Sequence, residues 1–157
     1  MRIGILTRKE DSWCGMGLRK AFEDRRRAVA FFSFQDLVGR IGQTPAVSIT
    51  NMDLMSELSA LLVRPIGRGS LDEVIFQLDL LHTLSQRGVP VINPPSAIEK
   101  AVDKYRALEL LSLAGISVPK TVVTENVHEA LQAFKTFGGE AIIKPVFGSR
   151  GIGAAKI

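Results

Sequence analysis

The sequence predicts an α/β chain in two parts, a domain built on a parallel sheet followed by a smaller α+β unit. Three observations carry this. Apolar runs at Arg2 to Thr7 and Val29 to Phe32 flank a stretch of helical periodicity, a βαβ rhythm that implies parallel strands. A third apolar run, Ala60 to Val63, precedes a long capped helix over Leu71 to Arg87. After the turn signal Asn93-Pro94-Pro95 the pattern becomes helix, strand, helix, strand, glycine loop, strand. The boundary is placed at that turn, giving domains 1–93 and 94–157.

In the first part, Arg2 to Thr7 reads as a strand and Gly15 to Arg27 as a helix with Leu18, Ala21 and Phe22 on one side. The run Arg25-Arg26-Arg27 closes that helix, where cations suit the carbonyl ends. Gln35 to Arg40 reads as one helical turn ended by Gly39 and Gly42, and Ala46 to Thr50 as an edge strand. Ala60 to Val63 is a buried strand that Arg64-Pro65 ends. Leu71 to Arg87 opens on Ser70 with Glu73 at the capping-box position and closes at Gly88.

That helix is apolar on two sides. Leu71, Val74, Ile75, Leu78 and Leu81 form one stripe, with Phe76, Leu80 and Leu84 nearly opposite. One sheet covers one side only, so the second is expected to meet the following domain or another subunit, a homo-oligomer through helix 71–87. His82 falls on the first stripe and reads as a packing histidine.

In the second part, Val89 to Asn93 is a short strand ahead of the boundary, and Ser96 to Ala114 is helical with a break near Glu99. Val118 to Thr124 reads as a strand, Val127 to Phe137 as a helix capped by Asn126, and Ala141 to Pro145 as a buried strand. Gly115 and Gly138-Gly139 are the helix stops.

Composition excludes several classes. A chain of 157 residues, 46% hydrophobic, can bury a core, and no apolar run reaches the length of a membrane span. The apolar start Met1 to Leu6 is too short for a signal-peptide core and leads straight into charges. A single cysteine, Cys14, allows no internal disulfide and points to a reducing cytoplasm, and two histidines offer no metal-ligand cluster. The formal charge of +4 does not indicate nucleic-acid binding, because basic residues are interspersed with acids.

The chemistry concentrates in Ile142-Ile143-Lys144-Pro145-Val146-Phe147-Gly148-Ser149-Arg150-Gly151-Ile152-Gly153. Lys144 stands where a strand ends, and three glycines follow, so the backbone can approach an anion and turn N–H groups toward it. Ser149 and Arg150 add a hydroxyl and a cation. A P-loop requires Lys-Ser/Thr after its last glycine, and Ile152-Gly153-Ala154 stands here instead. The order G-x-x-G-x-G is not the Rossmann fingerprint either, and an apolar strand follows it, not a helix. On this loop alone, a ligand-free hairpin turn explains the glycines equally well.

Taken together, Asn93 to Lys104, Gly115-Ile116-Ser117-Val118-Pro119, and Ile143-Lys144-Pro145 with its loop resemble the front half of an ATP-grasp ligase. Within that superfamily the chain is most similar to the RimK-type ligases, which add glutamate to a carboxylate acceptor. Leu61 to Gly67, Leu80-Leu81 and Gly88 to Val91 look like the branch whose acceptor is tetrahydromethanopterin. The resemblance runs from about Leu61 to the last residue. It implies a Rossmann-like pre-ATP-grasp domain with a parallel sheet, then the small α+β subdomain of an ATP-grasp fold, truncated inside that fold.

The resemblance also assigns roles. Lys104 and Lys144 would bind ATP, the first reaching the phosphates and the second lying near the α-phosphate and adenine. Gly148, Ser149, Arg150, Gly151, Ile152 and Gly153 would close over the nucleotide. On spacing alone Lys104 reads as a surface lysine on the stripe of Ala101, Leu108 and Leu111. Arg64, at the end of a strand, suits a carboxylate-bearing acceptor through its forked donors, or is an ordinary surface arginine. Ser12 and Trp13 follow the first strand and could touch the same acceptor, although Trp13 could instead cover the sheet. Cys14 has no basic partner in the sequence pattern.

By resemblance, the reaction is carbon–nitrogen ligation. ATP phosphorylates the acceptor carboxylate, and L-glutamate attacks the acyl-phosphate. The cofactors implied are ATP and Mg2+, with the metal-binding acids expected beyond Ile157, so that no metal ligand and no confidently placed catalytic residue lie within this chain. Alone, the chain is expected to be inactive. The alternatives are a non-catalytic ligand- or partner-binding module, or another ATP-grasp ligase of lysine-biosynthetic, glutathione or peptide type.

Overall fold

The computed structural model describes residues 2–64, 69–147 and 151–157. The chain divides into two compact units, Met1–Ser96 and Ala97–Ile157. Each is taken separately.

The first unit is organised on a parallel sheet. Strand β1 (Arg2–Leu6) leads through helix α1 (Trp13–Glu23) to β2 (Val29–Phe32), the expected βαβ crossover. Helix α1 begins two residues earlier than its periodicity suggests, because Ser12 caps it by accepting from the Gly15 N–H. It also ends earlier, at Glu23, so Arg25 to Arg27 lie past the helix, and Arg26 takes a left-handed φ of 53°. The cation still meets the helix end, since Arg25 Nη1 donates to the Ala21 carbonyl at 2.8 Å.

After β2 the chain departs from expectation. In place of one helical turn over Gln35 to Arg40 there is a 3-10 turn at Phe34–Asp36 and then a strand, β3 (Leu37–Gly39). Ser33 and Asp36 close a capping box on the short turn, and Leu37 is already extended. Strand β4 (Val47–Ile49) is not an edge. It lies between β3 and a two-residue strand β5 (Met52–Asp53) in an antiparallel sheet, and a short helix α2 (Leu54–Glu57) follows. Strands this short carry no alternation to detect.

Strand β6 (Leu58–Val63), helix α3 (Leu71–Gln86) and strand β7 (Val91–Ile92) complete the unit, and the main sheet has the all-parallel order β2-β1-β6-β7. The capping box of Ser70 and Glu73 forms as the sequence indicates. The two apolar stripes of α3 resolve differently from expectation. Leu80, Leu81 and Leu84 are all buried, forming one arc drawn from both stripes, whereas Leu71, Ile75 and Phe76 are 48 to 65% exposed. Leu80 is covered from inside the unit by β3: a Cβ on Gly39 would stand 2.6 Å from Leu80 Cδ2. Leu80 and Leu84 of the second stripe are thus buried, while Phe76 of the same stripe remains 49% exposed.

The second unit is thinner. The helical stretch from Ser96 to Ala114 is two helices, α4 (Pro95–Val102) and α5 (Lys104–Leu113), broken at Asp103 and not at Glu99. Asp103 is extended (φ −87°, ψ 107°) and its carboxylate accepts from the Arg106 N–H at 3.0 Å, capping α5. Helix α6 (Val127–Thr136) is capped by Asn126 as expected. Helices α3, α5 and α6 all stop with the same back-bonded motif, in which the N–H groups of Gly88, Gly115 and Gly138 and of the next residue return to the last turn.

Val118 to Thr124 has no strand partner among the described residues. The expected strand at Ala141 to Pro145 contracts to β8 (Ile142–Ile143), antiparallel to β9 (Ala155–Lys156). It is also not buried: Ile142 and Ile143 are 63% and 55% exposed. A two-stranded ribbon with neither face covered cannot hide its side chains, whatever their hydrophobicity.

Candidate functional site

The hairpin of β8 and β9 presents the glycine loop, and the break at Asp103 brings Lys104 to it. Because α5 begins at Lys104, its N–H faces the loop and donates to the Val146 carbonyl at 3.3 Å. The side chain returns to the same place, Nζ donating to the carbonyls of Pro145 at 2.9 Å and Val146 at 3.2 Å. Asp103 forms a β-bridge with Phe147 beside it. Lys104 thus clamps the start of the loop, and Ala101, expected on its face, belongs to the preceding helix.

Lys144 is exposed and immediately precedes Pro145, whose carbonyl holds Lys104. Two lysines 40 residues apart in sequence therefore flank one short stretch of backbone. On the far side of the loop, Gly151 and Gly153 take φ of +70° and +75°, a region favouring glycine, and the Gly151 carbonyl accepts from Ala154 N–H at 3.1 Å. A Cβ on Gly153 would approach the Pro145 ring at 3.2 Å, so the two ends of the loop lie close together. Ile152 is about half-exposed. Gly148, Ser149 and Arg150, also expected in the site, lie outside the described residues.

Asp103 caps α5, and Glu140, just before β8, pairs with Lys156 at 3.4 Å. Among the described residues, no three His, Cys, Asp or Glu side chains cluster as a metal site.

A second place lies at the carboxyl edge of the parallel sheet. The N–H of Arg64 donates to the Leu6 carbonyl at 2.9 Å, holding the residue between the ends of β6 and β1, and Nη2 donates to Cys14 Sγ at 3.1 Å. Cys14 does have a basic neighbour, 50 positions away, which no local spacing could signal. The other two residues expected here do different work. Ser12 is taken up by the cap of α1, its hydroxyl also donating to the Lys9 carbonyl at 2.8 Å. Trp13 is 86% exposed and covers nothing.

No family model matches the chain. Among curated proteins, it is 38% identical to the tetrahydromethanopterin:alpha-L-glutamate ligase of Methanosarcina acetivorans, over 99% of the chain and 49% of the relative. The ligase of the same name from Methanococcus maripaludis is 31% identical over 100% of the chain and 52% of its own length. These matches support the resemblance of the chain to the N-terminal part of a RimK-type ATP-grasp ligase. It spans about half the length of the curated relatives it matches.

Solved ATP-grasp structures agree on the fold. The RimK domain protein of Sphaerobacter thermophilus superimposes with a TM-score of 0.76 at 21% identity, covering 99% of this chain and 53% of that one. The ATP-grasp ligase PsnB complexed with a minimal precursor gives 0.70 at 19% identity, over 99% of this chain and 56% of its own. The α/β architecture with a parallel sheet is that of half an ATP-grasp chain. Among the described residues, no helix of the chain is long and apolar enough to cross a membrane.

Proposed function

We propose that this chain supplies the phosphate-holding side of an ATP-dependent ligase that joins L-glutamate to a carboxylate-bearing acceptor. The observation that carries the reading is that Lys104 Nζ is held at the Pro145 and Val146 carbonyls, the residues that directly follow the exposed Lys144 at the start of the glycine loop. An exposed ammonium, that of Lys144, beside a backbone free to turn its N–H groups inward can neutralise a polyphosphate. The names of the curated relatives supply the substrates, glutamate and tetrahydromethanopterin.

In this reading ATP transfers its γ-phosphoryl group to the acceptor carboxylate. The amine of glutamate attacks the acyl-phosphate carbon, phosphate leaves, and an amide forms with ADP as the other product. The protein's share is positioning and charge neutralisation, the usual demand of phosphoryl transfer. Lys104 holds the loop in place through its two carbonyl contacts, and Lys144, exposed at the strand end, meets the nucleotide. Gly151 and Gly153 let the backbone close over it, together with Gly148, Ser149, Arg150 and Ile152. Mg2+ accompanies ADP in a PsnB complex, and we assign its ligands to none of the residues described here. Unaided, the chain neither hydrolyses ATP nor ligates glutamate. Cys14, unpaired in a disulfide, suits a reducing cytoplasm.

The test is reconstitution. The chain is mixed with a polypeptide covering the other half of the Methanosarcina relative, Mg2+, ATP, L-glutamate and tetrahydromethanopterin, and the amide product is measured by mass spectrometry. Product that requires both polypeptides and disappears with Lys144→Ala supports the reading. A folded, associated pair that makes none refutes it.

A further inference from the structure

We propose that the crevice at the carboxyl ends of β1 and β6 is a carboxylate-binding site anchored by Arg64. The sheet order sets the location. From β1 the chain crosses through α1 to β2 on one side, while β6 pairs on the other. Connections therefore diverge between β1 and β6, which leaves a crevice at their carboxyl ends, where open α/β sheets receive ligands.

Arg64 is fixed in that crevice by its own backbone, through its N–H bond to Leu6. Its side chain is half-buried, and its donors are poorly used. Guanidinium offers five N–H groups, while the partner found for it among the described residues is Cys14 Sγ, a weak acceptor. Nε is buried and has no acceptor among the described residues. Buried donors are nearly always satisfied, so an orphan beside an open strand end marks a place for an acceptor from outside. A planar carboxylate matches the guanidinium fork with two parallel bonds, which a single-point acceptor cannot do.

The neighbours expected from sequence stand differently from Arg64. The Ser12 hydroxyl is spent on capping, and Trp13 points into solvent. Cys14 is instead the reporter: it is the chain's sole cysteine and touches the anchor. That the carboxylate belongs to the ligase acceptor rests on the proposed function; that the crevice takes a carboxylate does not.

The experiment measures alkylation of Cys14 by iodoacetamide in the chain alone, at constant ionic strength, with glutarate, with the uncharged analogue glutaramide, or with inorganic phosphate. Protection scales as one plus the ratio of ligand to Kd, so glutarate at ten times its Kd slows alkylation about tenfold. Glutaramide gives no protection and phosphate less than glutarate. Arg64→Gln abolishes the glutarate effect, and Arg64→Lys, which keeps the charge without the fork, leaves a weaker one. The readout is dependence on ligand, so any change in basal thiol reactivity does not confuse it, and circular dichroism checks the fold.

Equal protection by all anions, phosphate protecting better than glutarate, or protection that survives in folded Arg64→Gln protein overturns the proposal. Arg64-dependent protection without ligation on reconstitution keeps the site and removes the ligase assignment. Ligation without glutarate protection does the reverse.

Discussion

Replacing Lys104 with methionine separates its structural task from any role in nucleotide binding. The stem stays, and the ammonium contacts to Pro145 at 2.9 Å and Val146 at 3.2 Å are lost. Hydrogen bonds made by charged groups contribute about 1.5–3 kcal/mol each. One of these two is solvent-exposed and they share one donor group, so screening and non-additivity bring the pair to about 2 kcal/mol. The Lys104 N–H bond to the Val146 carbonyl, at 3.3 Å, reports on the same junction. A loss of about 2 kcal/mol raises the opening constant of that junction roughly 30-fold, so exchange of the Lys104 amide should accelerate by that factor in nucleotide-free protein. Hydrogen exchange followed by NMR measures it, with Lys135→Met on α6 as the control. Exchange within about twofold of the parent would show that the clamp does not hold the loop and that the two lysines are not brought together as described.

In a full-length ligase carrying this segment, Gly151→Val and Lys144→Ala should fail in different ways. Valine at a φ of +70° obstructs loop closure and lowers turnover more than nucleotide affinity. Loss of the Lys144 ammonium weakens ATP binding by about one to two orders of magnitude, which titration calorimetry reads directly. If both variants behave as the parent, the loop is a plain hairpin turn. In the first unit, Gly39→Ala should destabilise by about 1–2 kcal/mol in urea unfolding, because the new methyl meets the tip of the buried Leu80 side chain at 2.6 Å. Unchanged stability would mean that β3 does not pack on α3 as closely as described.

How much of this was legible depends on how local the signal is. The βαβ start, the capping box at Ser70 and the glycine stops are each written within a few residues, and each forms. Strands of two or three residues such as β3 and β5 leave no period to read. On α3, the burial of Leu80 involves Gly39 of β3, a stretch whose local sequence indicates a helical turn, so that contact leaves no local signal. The break at Asp103 was displaced because helical periodicity continues across it, while the Phe147 bridge that stabilises the extended residue is 44 positions away.

The same division holds at the candidate sites. Lys144 and its glycines were visible as a cluster, since strand end and loop are contiguous in sequence. That Lys104 meets them follows from where a helix breaks, and the Arg64–Cys14 contact joins the end of β6 to the first turn of α1, 50 residues away in sequence. Ser12 looked available only because its hydroxyl's partners, the Gly15 N–H and the Lys9 carbonyl, are fixed by the exact helix start.

The central claim is that Lys104, Lys144 and the glycine loop serve ATP-dependent ligation of glutamate, and the most direct measurement is product formation on reconstitution with the other half of the relative. The account predicts amide product and ADP in equal amounts, dependent on glutamate, on both polypeptides and on Lys144, with none from this chain alone. ADP formed without amide, or product formation that is indifferent to Lys144→Ala, would contradict it.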